Sequence, residues 1–163
     1  MEQKLNNVQD SCVIIKPYFA NNPVIIEYVK TILTEQLGLK IKEEAYLNYD
    51  KEDAKKHYDE HKERNFFGEL VDYLSSDVCY AMVVSGENAI AKIREVVGKP
   101  MKYNKETGEY ILPEPGTIRY DVPVMLGEAH RMTENVIHAS DKPESAKKEI
   151  AIMHEVARKK QMQ

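Results

Sequence analysis

Residues 133–149 read TENVIHASDKPESAKKE, and this stretch decides how the rest of the chain is understood. A short apolar run, Val136-Ile137, ends in His138. Ala139-Ser140-Asp141 follow, and then a helix start: Asp141 and Glu144 have capping-box spacing, Pro143 suits a first turn, and Lys147 and Lys148 lie farther along. His138 is therefore expected at the end of a strand, just before free backbone N–H groups, a place suited to an anion. Glu149 lies two helical turns past Asp141, so its route to His138 must come from the fold, not from helix periodicity. By themselves these residues also describe a partly buried strand-end histidine with no chemical role.

Working outward, residues 11–17 predict a first strand, with Val13 and Ile15 on one face and Cys12, Ile14 and Lys16 on the other. Residues 23–36 predict an amphipathic helix with Pro23 in its first turn and Gly38 beyond its end. Residues 39–49 read as a second strand with one covered face. Residues 51–75 read as short helices broken near Asn65, residues 78–84 as a central strand ended by Gly86, and residues 87–97 as a helix turning Ile90, Ile93, Val96 and Val97 inward. Residues 98–117 have little apolar periodicity and are expected to form a long loop. Residues 122–126 suggest short extended structure, and a last helix is expected from Pro143 to about Ala157, closed by the basic run Arg158–Lys160.

The chain has 163 residues, enough for one domain with a sizeable core. Its 42% hydrophobic and 31% charged residues fit a globular protein, and the net charge of −4 gives no reason to expect nucleic-acid binding. Cys12 and Cys79 make neither a disulfide framework nor a metal set, and read as small buried hydrophobes. The N-terminus lacks the apolar core of a signal peptide and no segment approaches membrane-spanning length, so a cytoplasmic location is expected. His57 and His61 have the i,i+4 spacing of a metal pair, but no HExxH signature accompanies them, and no metal site is expected.

The segment NVIHASDKPESAKKEI resembles the catalytic segment of nucleoside diphosphate kinases, in which Asn-x-x-His-x-Ser-Asp is followed by Glu-Ser-Ala and a later Glu. Three more blocks match that family in the same order: VIIKP at residues 13–17, HYDEHKERNFFGEL at 57–70 and PGTIRYD at 115–121. Together they span nearly the whole chain. The resemblance implies a ferredoxin-like βαββαβ sandwich with an antiparallel sheet and additional helices. It forms a single domain over residues 11–163, preceded by an extension at 1–10 and interrupted by insertions near 99–114 and 127–134.

The resemblance also implies roles. His138 would carry the phosphoryl group between a nucleoside triphosphate such as ATP and a nucleoside diphosphate. Glu149 would orient its imidazole, with Ser140 supporting Glu149. Lys16, Arg94 and Arg119 would bind phosphates, Tyr58 would lie by the transferred group, and Asn135 would contact the ribose. Phe66 would stack on the base, His61 would line the base slot, and Glu60 would hold nearby basic groups. Mg²⁺ would be carried on the nucleotide phosphates. The chain would form a homo-oligomer, a hexamer in the first instance and a dimer in the second, with neither a nucleic-acid nor a membrane partner. Three departures stand out. Tyr18-Phe19 replaces the usual Asp-Gly, Pro100 stands where a phosphate-contacting threonine is usual, and both insertions flank the nucleotide mouth. Lys99 or Lys102 is available to replace the lost contact. These departures motivate an alternative, a nucleotide-binding or scaffold protein of low activity; the retained set of chemical residues argues for the kinase.

Overall fold

The alternation in β1 (Val8–Ile15) sends Val13 and Ile15 to one side of the sheet and Cys12 and Ile14 to the other, all fully buried. A strand covered on both faces belongs inside its sheet. β1 pairs antiparallel with both β3 (Cys79–Glu87) and β6 (Ile137–Ala139), while β3 pairs antiparallel with β2 (Lys40–Leu47). The resulting order, β2-β3-β1-β6, is the expected βαββαβ arrangement. At the edge, β2 carries Lys40, Lys42, Glu43 and Glu44 and an irregularity between Ile41 and Glu43, devices that discourage further strand pairing.

The computed structural model describes residues 7–161. Residues 1–6 of the expected N-terminal extension lie outside them. The rest of that extension is not separate: Val8 and Asp10 already pair with Glu87 and Ser85, so β1 begins before the first buried residue.

Helices cover both faces. Over Val13 and Ile15 lie α1 (Pro23–Thr31), α4 (Ala89–Val97) and α5 (Ile118–Met125), contributing Ile25, Val29, Ile93, Ile118 and Val122 to one core. Over Cys12 and Ile14 lie α2 (Lys51–His57), α3 (Phe67–Leu74) and α6 (Pro143–Gln161), with Ala54, Val71, Leu74, Ile152 and Val156. Local chemistry sets the ends. The Asn22 side chain accepts from Val24 N at 2.9 Å to cap α1, which unwinds through a π turn (Ile32–Gln36) before Gly38 at φ +69°. Asp50 and Asp53 form a reciprocal capping box on α2. Cys12 and Cys79 are buried and unpaired.

Two expectations need correction. Residues 98–117 are not a plain loop, because β4 (Lys102–Asn104) and β5 (Glu109–Ile111) form a hairpin there. Its turn is built by the Asn104 carbonyl side chain, which accepts from Glu106 N at 2.9 Å, and by Gly108 at φ +75°. Tyr103 and Tyr110 face each other across it. Residues 122–126 are helical, belonging to α5; Pro123 sits inside that helix and is buried. The segment expected to be an insertion at 127–134 folds into a 3-10 turn, Ala129–Thr133.

The two departures near the mouth fit each other. Tyr18 adopts φ 75°, ψ −60°, an uncommon backbone state for a residue other than glycine. It places its hydroxyl where it donates to Glu128, in the segment expected to be an insertion at 127–134.

Candidate active site

The edge strand β6 sets His138 opposite Ile14 of β1. Just past it, the backbone turns so that Ser140 N donates to Cys12 O at 3.2 Å and the Ser140 hydroxyl accepts from Cys12 N at 2.9 Å. Glu149, in α6, comes back to the same point. Ser140 Oγ donates to Glu149 Oε1 at 2.7 Å, and that oxygen lies 2.9 Å from His138 Nε2 at an angle short of a linear hydrogen bond. The expected path from Glu149 to His138 is thus supplied by the packing of α6 under the sheet.

Burial governs the charges. His138 has a side chain only 19% exposed, and burial first, then Lys16 and Arg119, lower its pKa to about 3. Its imidazole is therefore neutral at any ordinary pH. Burial also raises the Glu149 carboxyl above its usual value, while His57 and the Ser140 hydroxyl pull it back. Lys16 follows β1, with its backbone N–H donating to Val136 O at 2.9 Å, and it is 1% exposed. Burial and then the Arg119 charge lower its pKa to about 7. Its Nζ lies 5.5 Å from the centre of the Tyr58 ring. Tyr58 ends α2; among the described residues its hydroxyl is buried without a partner, and burial raises its pKa.

Arg119 enters from the first turn of α5. Its guanidinium donates through Nε to Asn135 Oδ1 at 2.9 Å, through one terminal nitrogen to Gly98 O, and through the other to Ile137 O at 3.1 Å. Gly98 must be glycine for this: its φ is +86°, and a Cβ there would meet the Thr117 side chain at 2.5 Å. Burial, then Arg94, lower the Arg119 pKa to about 10, so the two guanidiniums lie within each other's field. Arg94 is exposed on α4. Both arginines line a cavity of about 720 Å³ with Lys99, Pro100, Lys102 and the apolar Ile111 and Leu112 of the hairpin. The cavity lining does not include His138, so this hollow adjoins the histidine cluster from the arginine side.

The sequence-expected residues therefore divide. His138, Glu149, Ser140, Lys16, Tyr58, Arg119 and Asn135 converge. His61 and Phe66 extend the group outward, their ring centres 5.9 Å apart and His61 6.4 Å from Tyr58, with Phe66 43% exposed as a stacking surface would be. Glu60 does not join the cluster; it is exposed and lies 3.6 Å from His61. Sequence reasoning missed His57, 4% exposed, whose ring centre is 4.5 Å from that of His138. In the sequence it stood out only as the i,i+4 partner of His61 and as the first residue of the block at 57–70.

Among the described residues no helix is long and apolar enough to cross a membrane. The family model for nucleoside diphosphate kinase matches residues 9–158. The chain is 41% identical over 140 residues to a protein named nucleoside diphosphate kinase from Corynebacterium jeikeium, covering 86% of this chain and 92% of that one. It is also 41% identical over 140 residues to one of the same name from Halalkalibacterium halodurans, with coverage of 86% and 84%. Two solved structures superpose with TM-scores of 0.70 at 29% identity. One is the Halobacterium salinarum nucleoside diphosphate kinase in complex with CDP, covering 88% of this chain and 86% of that one. The other is the Borrelia burgdorferi enzyme with vanadate and ADP, a transition-state mimic, covering 90% and 87%. The match of the family model across residues 9–158, together with these relatives and this fold, places the chain in the nucleoside diphosphate kinase family.

Proposed function

We propose that the chain's nucleoside diphosphate kinase activity runs by double displacement through His138. The observation that carries this is the approach of Glu149 Oε1 to His138 Nε2 at 2.9 Å. A carboxylate at that edge favours the tautomer with its proton on Nε2 and leaves the Nδ1 lone pair for attack. Nδ1 bonds to the γ-phosphorus of a nucleoside triphosphate, the bond to the bridging β,γ-oxygen breaks, and the diphosphate departs. A second diphosphate then takes the phosphoryl group from Nδ1 by the reverse sequence. As the ring accepts positive charge, Nε2–H tightens onto Glu149.

Lys16, Arg119 and Arg94 offset the charge on the transferring group, the arginines by bidentate contacts. Lys16, with a pKa of about 7, takes up a full proton as the phosphates arrive. The unpartnered Tyr58 hydroxyl is completed by a phosphoryl oxygen. Asn135, already held by Arg119, meets the ribose hydroxyls, and Phe66 offers a base-tolerant stacking face beside His61. Lys99 and Lys102, in the cavity wall with Pro100, replace the missing threonine contact.

Magnesium fits this site through the nucleotide. Among the described residues the metal-capable cluster is His57, His138 and Glu149, a nitrogen-rich set that suits Mg²⁺ poorly. The ion would be held by phosphate oxygens that Lys16 and the two arginines position, and there it would neutralise charge on the leaving diphosphate. The protein works in the cytoplasm as a homo-oligomer, a hexamer before a dimer. Light scattering across a concentration series decides the mass, and a persistent monomer would refute the assembly.

Incubation with γ-labelled ATP and Mg²⁺ should label His138, and any common nucleoside diphosphate should discharge it. His138→Gln should remove both steps while the domain stays folded. Transfer persisting in that variant would overturn the assignment of the nucleophile.

A further inference from the structure

His57 is a buried group that the reaction as described does not use. It closes α2, is 4% exposed, and among the described residues both of its ring nitrogens are buried without a hydrogen-bond partner. Unpartnered polar groups in a packed interior carry a desolvation cost and need an explanation. The ring is fixed edge-on against three others: Tyr49 at 6.2 Å, Tyr58 at 4.7 Å and His138 at 4.5 Å between centres. Packing therefore leaves it little freedom to turn away. One nitrogen of His57, one of His138 and one Glu149 oxygen all lie within 4.8 Å of one another.

Such a trio suggests a transition-metal site, but its surroundings oppose a cation. Burial disfavours added positive charge at both rings, as do Lys16, Arg94 and Arg119 at His138 and Lys16 and Lys148 at His57, and together they outweigh the opposite pull of Asp141 and Glu149. A neutral donor meets no such objection. Burial holds His57 neutral, with one N–H and one acceptor nitrogen. Glu149 Oε1 is engaged by Ser140 and faced by His138, so the carboxylate has capacity left on its far side.

We infer that His57 is a positioning residue, donating a ring N–H through one bridging water to the Glu149 carboxylate, so that Glu149 stays ionised and turned toward His138 Nε2. The inference rests on the double-displacement reading above. It gives the carboxylate three partners, Ser140, His57 and His138, and makes the orientation of the nucleophile depend on a residue that touches no nucleotide.

The test is single-turnover phosphorylation by rapid quench, with nucleoside diphosphate affinity measured alongside. His57→Phe keeps the ring and removes the donor. It should slow phosphoryl transfer to His138 about tenfold or more, about 1.4 kcal/mol in the barrier, while the Kd for diphosphate changes less than twofold. Of His57→Asn and His57→Gln, whose amides retain an N–H, at least one should recover most of the rate. In a Glu149→Gln background, His57→Phe should add less than twofold, because the carboxylate it serves is gone. A His57→Phe rate equal to wild type would overturn the inference. So would a full loss in the Glu149→Gln background, an equal loss of affinity and rate, or no recovery with either amide. Absence of any phosphohistidine in the wild type would instead sink the double-displacement reading and the inference with it.

Discussion

The Arg131 guanidinium lies 3.7 Å from the centre of the Tyr18 ring. Arg131 also reaches Glu128 at 2.6 Å and Glu134 at 2.7 Å, and the Tyr18 hydroxyl donates to Glu128. Tyr18 holds a positive-φ conformation to do so, at a cost on the order of 1–3 kcal/mol, which the cation–π contact and the hydrogen bond offset. Tyr18 and Arg131 thus clamp the segment from Glu128 to Glu134, which ends one residue before Asn135. Tyr18→Ala should weaken diphosphate affinity several-fold and speed amide exchange across residues 127–134, and Arg131→Ala should do the same. The double variant should match either single one. Additive losses would show that the two residues act separately.

Lys16 should trade stability for function. Its pKa falls to about 7 on folding, whereas an unfolded lysine titrates near ~10.4. Between those values the unfolded chain holds a proton that the folded one has released, so this group's penalty shrinks as pH rises through the window and is full below about pH 7. Lys16→Met should therefore raise the melting temperature, more at pH 6 than at pH 9, while abolishing most phosphotransfer. Thermal melts at the two pH values read this directly. A lower melting temperature at pH 6 would refute it.

Arg119 holds Asn135, Gly98 and Ile137 from three points of one planar group. Lysine keeps the charge but cannot reproduce that fork. Arg119→Lys should lower kcat/KM about 100-fold, about 2.7 kcal/mol, and should also reduce thermal stability because Gly98 O and Ile137 O lose their donor. Unchanged stability with reduced activity would mean that the guanidinium serves the nucleotide alone.

The hairpin β4–β5 exposes Tyr103, Tyr110, Ile111 and Leu112 on its surface while its base walls the cavity by Arg94 and Arg119. Replacing residues 101–112 with a short glycine linker separates the two roles. A change in oligomer mass at constant phosphotransfer would make the hairpin an assembly element. Loss of diphosphate affinity at constant mass is the outcome expected here, since Lys102 and Ile111 leave the cavity wall together.

What the sequence disclosed followed from strong local patterns. The buried alternation of β1, the breaks at Asn65 and Gly38, and the helix after Asp141 are short-range signals, and the elements formed there. The segment from Gly98 onward was harder because three-residue strands carry too little periodicity to register. Pro123, which usually breaks a helix, is accommodated in α5. At the site, His138, Glu149 and Lys16 were legible through the family pattern. His57 was not, because its meaning depends on contacts with Tyr49 and His138 that no spacing encodes. The link between Tyr18 and Glu128 is likewise a tertiary fact, because the two lie 110 positions apart.

The three-residue strand β6 joins the sheet through β1 alone, and its junction is sealed by Ser140 and Cys12, 128 positions apart in the chain. Closing so large a loop is slow, because the entropy is lost before the contact is gained. The nucleophile is therefore expected to reach its place late in folding, after the helices and the β1–β3 pairing. On refolding from denaturant, far-ultraviolet dichroism should recover ahead of phosphotransfer, and a ribosome-bound chain should remain catalytically silent until its final helix has emerged.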